Sequence, residues 1–352
     1  MKEILHLKNV LYTKKHGFIF QTKPKNVDLY VNNYIIDASI VYTETIEQPI
    51  IVCDMIHSTF CHGLIDSIFS TYWIKQDIME EDETKKNFKL FVRKENIEKY
   101  PEKNLKNINE SNLNFKGVYG ELIKVVTKSP LCFEHLVKEN RNILIKDCYF
   151  SRLDQRWQRS PWNSDTYYPG RSKEKVLFTK RSIQRRLNLF LEELEKENEI
   201  VEELNVGEVS NKKRLVIVDR KTDYRSLKKT WLHSEEEKID MENPNHKTIL
   251  DNVEHILKNQ NKFDFVGTIY LEDLNLKEQI QTFKNNDIII TPQGANMIHS
   301  LWSKDKIICE VVFVESHKCL YKRILSFTTN KHIQISPYNL DRFVNYLIQN
   351  LV

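Results

Sequence analysis

Apolar residues in this chain alternate between short β-branched runs and longer stretches at helical spacing. Tyr34 to Tyr42 (YIIDASIVY) and Pro49 to Cys53 (PIIVC) read as strands, as do Phe88 to Val92 and Gly117 to Val126. Ser58 or Thr59 can cap a helix from Phe60 to about Gln76, with Leu64, Ile65, Ile68, Phe69 and Tyr72 on one face. The acidic cluster Glu80 to Glu83 reads as a solvated loop. Lys94 to Leu113, polar and rich in Asn, reads as surface helix and loop. Ser151 to Gly170 breaks all periodicity and is expected to be a long loop; its aromatics and arginines suit either a sugar or peptide groove or a domain-packing patch. A helix over Ser182 to Ile200 carries Ile183, Leu187, Phe190, Leu191 and Leu194 on one side.

Beyond the polar stretch near Gly207 to Lys213 the pattern changes. Strands at Leu215 to Val218, Phe265 to Tyr270, Asp287 to Thr291 and Lys306 to Phe313 alternate with helical segments. That alternation implies βαβ units in a parallel sheet. A helix over Leu340 to Leu351 closes the chain. The expected domains are therefore residues 1–200, 201–335, and a terminal helix at 336–352 that crosses back to the first domain.

Asp287 to Glu310 (DIIITPQGANMIHSLWSKDKIICE) is the most informative segment. Ile288-Ile289-Ile290-Thr291 is short and β-branched, as a strand buried on both faces requires. Pro292 ends it, because proline cannot donate to the ladder. Gly294 permits a turn or a close ligand approach, and a helix can start at Asn296. Free N–H groups at such a helix start suit a phosphate, although an ordinary turn has the same pattern.

At 352 residues the chain can hold two domains with full cores. Its 53 Lys plus Arg against 49 Asp plus Glu leave a net charge of +4, which argues against a nucleic-acid binder. The 6 cysteines are scattered without a C-x-x-C pair, as for buried thiols in a reducing compartment, with two or three disulfides as the alternative in a secreted protein. With no N-terminal apolar segment and no apolar run of membrane length, a soluble, cytoplasmic chain without a membrane anchor is the expectation. A luminal location stays open, and the sequon Asn109-Glu110-Ser111 is compatible with one.

Two further segments carry candidate chemistry. Asp219-Arg220-Lys221 follows the strand at Leu215, with Arg225 shortly after. Cations at the carboxyl end of a parallel strand face the crevice where such sheets bind ligands, so Arg220 and Arg225 can grip a diphosphate; a solvated basic loop is the alternative. In HSTFCHGLIDSIF, His62 and Asp66 stand four residues apart, on one helical face, where a carboxylate can orient an imidazole base. A structural hydrogen bond is the competing reading of the same pair.

Taken in order, these motifs resemble glycosyltransferase family 61, whose members include plant xylosyl- and arabinosyltransferases and a secretory-pathway O-linked N-acetylglucosamine transferase. FCHGLID at Phe60 to Asp66 matches its F-x-H-W-hydrophobic-x-D segment. IVDRKTDYRSL supplies the strand ending in D-R and the second Arg. LKEQIQTFKNNDIIITPQGANMIHSLWSKDKIICE, Leu276 to Glu310, matches the helix, strand, H-G-A-G/A loop and strand ending in Glu. Gln293 stands where the family usually has His, and Gly63 where Trp is common.

The resemblance implies a GT-B architecture, two facing Rossmann-like α/β domains with parallel sheets, the nucleotide sugar in the second and the acceptor in the first. It implies inverting transfer to a hydroxyl of a glycan or protein, with the nucleotide sugar as co-substrate and no metal or other cofactor. Arg220, Arg225, Gln293, Gly294, Ala295, Asn296 and Glu310 would bind the donor, and His62 would act as base with Asp66 as orienter or as the base itself. Gln293 raises one alternative, a catalytically weakened relative that keeps glycan or nucleotide affinity.

Overall fold

The computed structural model describes residues 4–31, 34–53, 64, 68–83, 87–92, 108–109, 114–115, 117–127, 132–133, 140–151, 173–198, 212–221, 246–259, 261–312, 325–326, 328–336 and 339–350. The chain divides into two compact units, Met1–Glu199 and Ile200–Val352.

In the first unit the strands are β1 (Ile4–Thr13), β2 (Gly17–Phe20), β3 (Tyr34–Ile36), β4 (Glu44–Ile46), β5 (Ile50–Cys53), β6 (Lys89–Val92), a short ribbon β7 (Ile108–Asn109) with β8 (Asn114–Phe115), β9 (Cys132–Phe133) and β10 (Asn142–Ser151). The main sheet runs β3-β2-β1-β10-β5-β6-β9, with β4 also paired to β10. It is mixed, which corrects the expectation of parallel pairing throughout. β1 runs antiparallel to both neighbours, β2, to which a tight turn joins it as a hairpin, and β10 from much later in the chain. The core between them is aromatic: Tyr12, Phe18, Phe91 and Phe150 are buried, and Phe18 meets Phe150 edge-on at 4.9 Å.

Helices α1 (Ser70–Glu81), α2 (Gly117–Val126) and α3 (Lys173–Glu197) complete the unit. The strand expected over Gly117 to Val126 is a helix, α2. Leu122, Ile123, Val125 and Val126 are all buried while Lys124 between them is exposed, so the apolar pairs mark the buried side of a helix rather than a strand. Lys75 of α1 donates to the Val125 carbonyl at 2.9 Å, satisfying a group that the last turn leaves free. Phe190 of α3 packs edge-on against Tyr72 at 5.2 Å. Arg186 lies over Trp73, 4.9 Å from its centroid, and pairs with Asp77 at 2.5 Å. Glu80 and Glu81 end α1 rather than lying in a loop. The strand expected from Tyr34 to Tyr42 stops at Ile36, where Asp37 accepts from Ser39 and turns the chain. The expected long loop over 152–170 lies outside the described residues.

The second unit is a parallel sheet of five strands: β11 (Arg214–Asp219), β12 (Asp264–Tyr270), β13 (Ile288–Pro292), β14 (Ile307–Val311) and β15 (Lys331–Ile335). One face packs on α4 (His246–Lys258) and α6 (Leu340–Asn350) through Leu215, Ile217, Ile288, Ile290, Cys309 and Val311. Leu340, Val344 and Leu347 of the closing helix belong to this core. The other face belongs to α5 (Leu276–Lys284) and the 3-10 helix Ala295–Trp302. Burial on both faces explains why β13 reads Ile-Ile-Ile without alternation.

Asp287 fixes the amino edge of this sheet. Its carboxylate accepts from the Arg214 N–H at 2.9 Å and faces the Lys306 ammonium at 3.4 Å, tying the starts of three strands. Asn275 begins α5 with a reciprocal capping box: it accepts from Glu278 N at 3.0 Å, and Glu278 accepts from Asn275 N at 2.8 Å. Asn275→Ala is expected to lower stability by about 1 kcal/mol, read as a lower urea midpoint with an unchanged slope.

Candidate functional site

Strand order locates the site. The second sheet runs β12-β11-β13-β14-β15, so in order of appearance its strands stand 2-1-3-4-5. Connections leave β11 in one direction and β13 in the other, opening a crevice at their carboxyl ends. Arg220 directly follows β11, and the Gln293-Gly294 turn directly follows β13. Both lie where the topology calls for a ligand.

These two segments are in contact. Gly294 has φ 145°, and a Cβ built on it would fall 1.4 Å from Arg220 Nη2 and 2.3 Å from its Cζ. The guanidinium therefore occupies the space that only glycine leaves open. Asn296 Nδ2 donates to the Asp219 carbonyl at 3.3 Å, a second link from the turn to the end of β11. Arg220 Nη2 is buried and finds no acceptor among the described residues. A buried guanidinium nitrogen without an acceptor among the described residues can donate to an anion.

The turn leads into a helix where one was expected, and its form is 3-10, Ala295–Trp302. Met297 N donates to the Gly294 carbonyl at 2.9 Å, the short i→i+3 bond of that form. Gly294, Ala295 and Asn296 are partly exposed at its start, while Met297 to Trp302 are buried. Asn330 holds the far end, donating to the Ser300 carbonyl at 2.8 Å and the Ser303 carbonyl at 3.1 Å. Inside the helix, Trp302 Nε1 donates to His299 Nδ1 at 2.9 Å. Burial pushes His299 down to about 3, so the ring is neutral and structural.

Gln293 is 1% exposed, and its backbone N–H donates to the Val311 carbonyl at 2.8 Å. Glu310 is fully buried on β14 and level with Thr291 of β13 and Gln334 of β15. Its Oε2 accepts from His332 Nε2 and Gln334 Nε2, both at 2.8 Å. Its Oε1 has no partner among the described residues. Lys221 turns outward and pairs with Asp273, which draws its ammonium pKa upward. Among the described residues no group of three or more His, Cys, Asp or Glu is placed to hold a metal ion.

Of the residues expected to bind the donor, the structure brings Arg220, Gln293, Gly294, Ala295, Asn296 and Glu310 to one edge of one sheet. Arg225, His62 and Asp66 lie outside the described residues. Sequence reading passed over His332 and Gln334. Their signal was the period-2 pattern of Lys331–Ile335, which alternates polar and apolar residues like an ordinary edge strand.

A parallel α/β domain with an arginine seated at its switch point is of the kind that binds phosphorylated ligands. The family model described as Glycosyltransferase 61 matches residues 60–312, and the chain belongs to that family of glycosyltransferases. Membership supplies the class of reaction and its two substrates, a sugar donor and an acceptor. No curated protein matches the chain. No helix among the described residues is long and apolar enough to cross a membrane.

The contact at Gly294 has a measurable consequence. Gly294→Ala should destabilise the chain by roughly 1–3 kcal/mol, from backbone strain and from expulsion of the guanidinium. In an Arg220→Ala background the cost should fall by on the order of 1 kcal/mol, since the collision is gone; a double-mutant cycle in urea measures that coupling. His299 gives a pH signature. Its folded pKa lies below its unfolded value, so only the unfolded chain takes up this proton as pH falls below about 6.5. Stability should be whole above that pH and decline by roughly 1 kcal/mol per pH unit toward pH about 3. His299→Gln should remove this component from the acid limb of the denaturation curve.

Proposed function

We propose that the chain transfers a sugar from a nucleotide-sugar donor, a UDP-sugar, to a hydroxyl on a glycan or protein, with inversion and without a metal. The observation that carries this reading is the Arg220 guanidinium resting on Gly294 at the switch point of the second sheet. As the bond from the sugar's C1 to the β-phosphate oxygen breaks, its electron pair stays on the nucleoside diphosphate. Arg220 stabilises that charge by charge-assisted hydrogen bonds, and the free N–H groups at the start of the 3-10 helix add to it. Arg225 is assigned a second phosphate contact. The acceptor oxygen forms the new bond to C1 from the opposite side and gives its proton to His62, oriented by Asp66, or to Asp66 itself.

The reading includes a GT-B arrangement, with the donor held by the second unit. A second reading rests on Gln293, which cannot supply the cation or general base that a histidine can: the chain binds the donor and turns it over slowly or not at all. Donor affinity is common to both readings, and turnover separates them.

Thermal unfolding against a panel of nucleotide sugars tests the donor site. At a hundred times its Kd a ligand adds about 2.7 kcal/mol to stability. The expected result is a rise of several degrees in the wild type and none in Arg220→Ala. An equal rise in Arg220→Ala would overturn the diphosphate assignment, and no rise with any nucleotide sugar would overturn the donor site.

A further inference from the structure

We infer that His332 and Gln334 are positioning residues of the donor site: they fix Glu310 so that its second oxygen stays available to a hydroxyl of the donor. The inference rests on the donor reading above and adds residues beyond the stretch that the family model matches, which ends at residue 312.

Glu310 is the starting point. It is fully buried on β14, with Thr291 of β13 and Gln334 of β15 on either side of it in the register. A buried carboxylate is tolerated only where donors surround it. Both donors present reach the same oxygen, Oε2, at 2.8 Å each. Oε1 is buried with none among the described residues. His332 and Gln334 stand two apart on β15 and so share one face of the sheet. Gln334 is level with Glu310 in the register, and His332 lies one pleat nearer the amino edge. Two donors converging on Oε2 leave the carboxyl group no freedom to rotate, so Oε1 is held in one direction.

Position and chemistry then name the ligand group. Glu310 is one residue from the carboxyl end of β14, level with Thr291, and the next pair up is Pro292 with Val311. The turn that seats Arg220 begins there. A carboxylate oxygen accepts and cannot donate, and it repels phosphate, so its complement is an O–H. Cation and carboxylate at one edge of one sheet fit a molecule carrying both phosphate and hydroxyl groups. In a nucleotide sugar the hydroxyl belongs either to the ribose or to the transferred sugar.

Calorimetric titration of the full chain with pyrophosphate, UDP and UDP-N-acetylglucosamine tests the assignment. His332→Leu and Gln334→Leu should each weaken binding of a hydroxyl-bearing ligand about tenfold and leave pyrophosphate affinity unchanged. His332→Gln, which keeps an N–H donor, should restore most of the loss. Glu310→Gln guards against misfolding as the cause. The two donors would hold its amide oxygen and turn its NH2 to where Oε1 stood, with the same selective loss. Loss already present with UDP assigns the ribose; loss confined to the nucleotide sugar assigns the transferred sugar. Equal loss with pyrophosphate, or no rescue by His332→Gln, would make the pair merely structural and overturn the inference. Wild type that binds none of the three ligands would instead overturn the donor reading on which it stands.

Discussion

The guanidinium of Arg220 fills the volume that any side chain at position 294 would need. That steric exclusion joins two ends that are far apart in sequence, one after β11 and one after β13. It works because those strands are neighbours, paired from Leu215 with Ile288 to Ile217 with Ile290. A parallel pair cannot be closed by a hairpin, so β12 and α5 must intervene in the chain and leave the gap between β11 and β13 in space. Arg220 sits in this gap as a charge whose Nη2 has no protein acceptor among the described residues.

The rest of the second unit holds that gap to its dimensions. Asp287 laces the starts of β11, β13 and β14 at the amino edge, which fixes register. Ile288, Ile289 and Ile290 are fully buried, so slippage by one residue would gain nothing in burial but would lose those bonds. At the carboxyl edge Asn296 ties the turn to β11, and back at the amino edge Asn330 ties the end of the 3-10 helix to the approach of β15. The helix that begins at Gly294 is thus held at both ends. The proposed donor site would gain from this, since donors already in place cost no reorganisation when charge develops.

Much of this was legible along the chain, and the failures have physical causes. The strand-helix alternation after residue 213 gave the parallel sheet, because strands buried on both faces carry unbroken β-branched runs. Arg220 and Gly294 were recognisable as candidates separately, but their contact depends on a Cβ that is missing, which no residue pattern expresses. Gly117 to Val126 deceived because its apolar pairs Leu122-Ile123 and Val125-Val126, packed between α1 and α3, are too short a run to tell a helix from a strand by period. The mixed first sheet hid because β1 carries polar residues at Lys8 and Asn9 and so gave no clean run. Glu310 could be read as an acid at a strand end. That a histidine and a glutamine two residues apart on the next strand share one of its oxygens is a statement about register, and register appears only once β15 is laid beside β14.

Gln293, where the family usually has histidine, takes on a different weight in this setting. The residue is 1% exposed, and its backbone is already committed to the Val311 carbonyl. His299, six residues on and likewise buried, shows what such surroundings do to an imidazole: burial alone pushes its pKa down to about 3. Without a carboxylate to hold the proton, an imidazole buried to the same degree at position 293 would also be neutral near pH 7. A neutral imidazole offers one N–H donor and one acceptor nitrogen; a glutamine amide offers an NH2 and a carbonyl oxygen. On that argument the exchange keeps donor and acceptor character, and what it forfeits is the ability to pass a proton. In the proposed mechanism the proton moves on the acceptor side, to His62 or Asp66, while the donor side must hold charge, which is the part Arg220 plays.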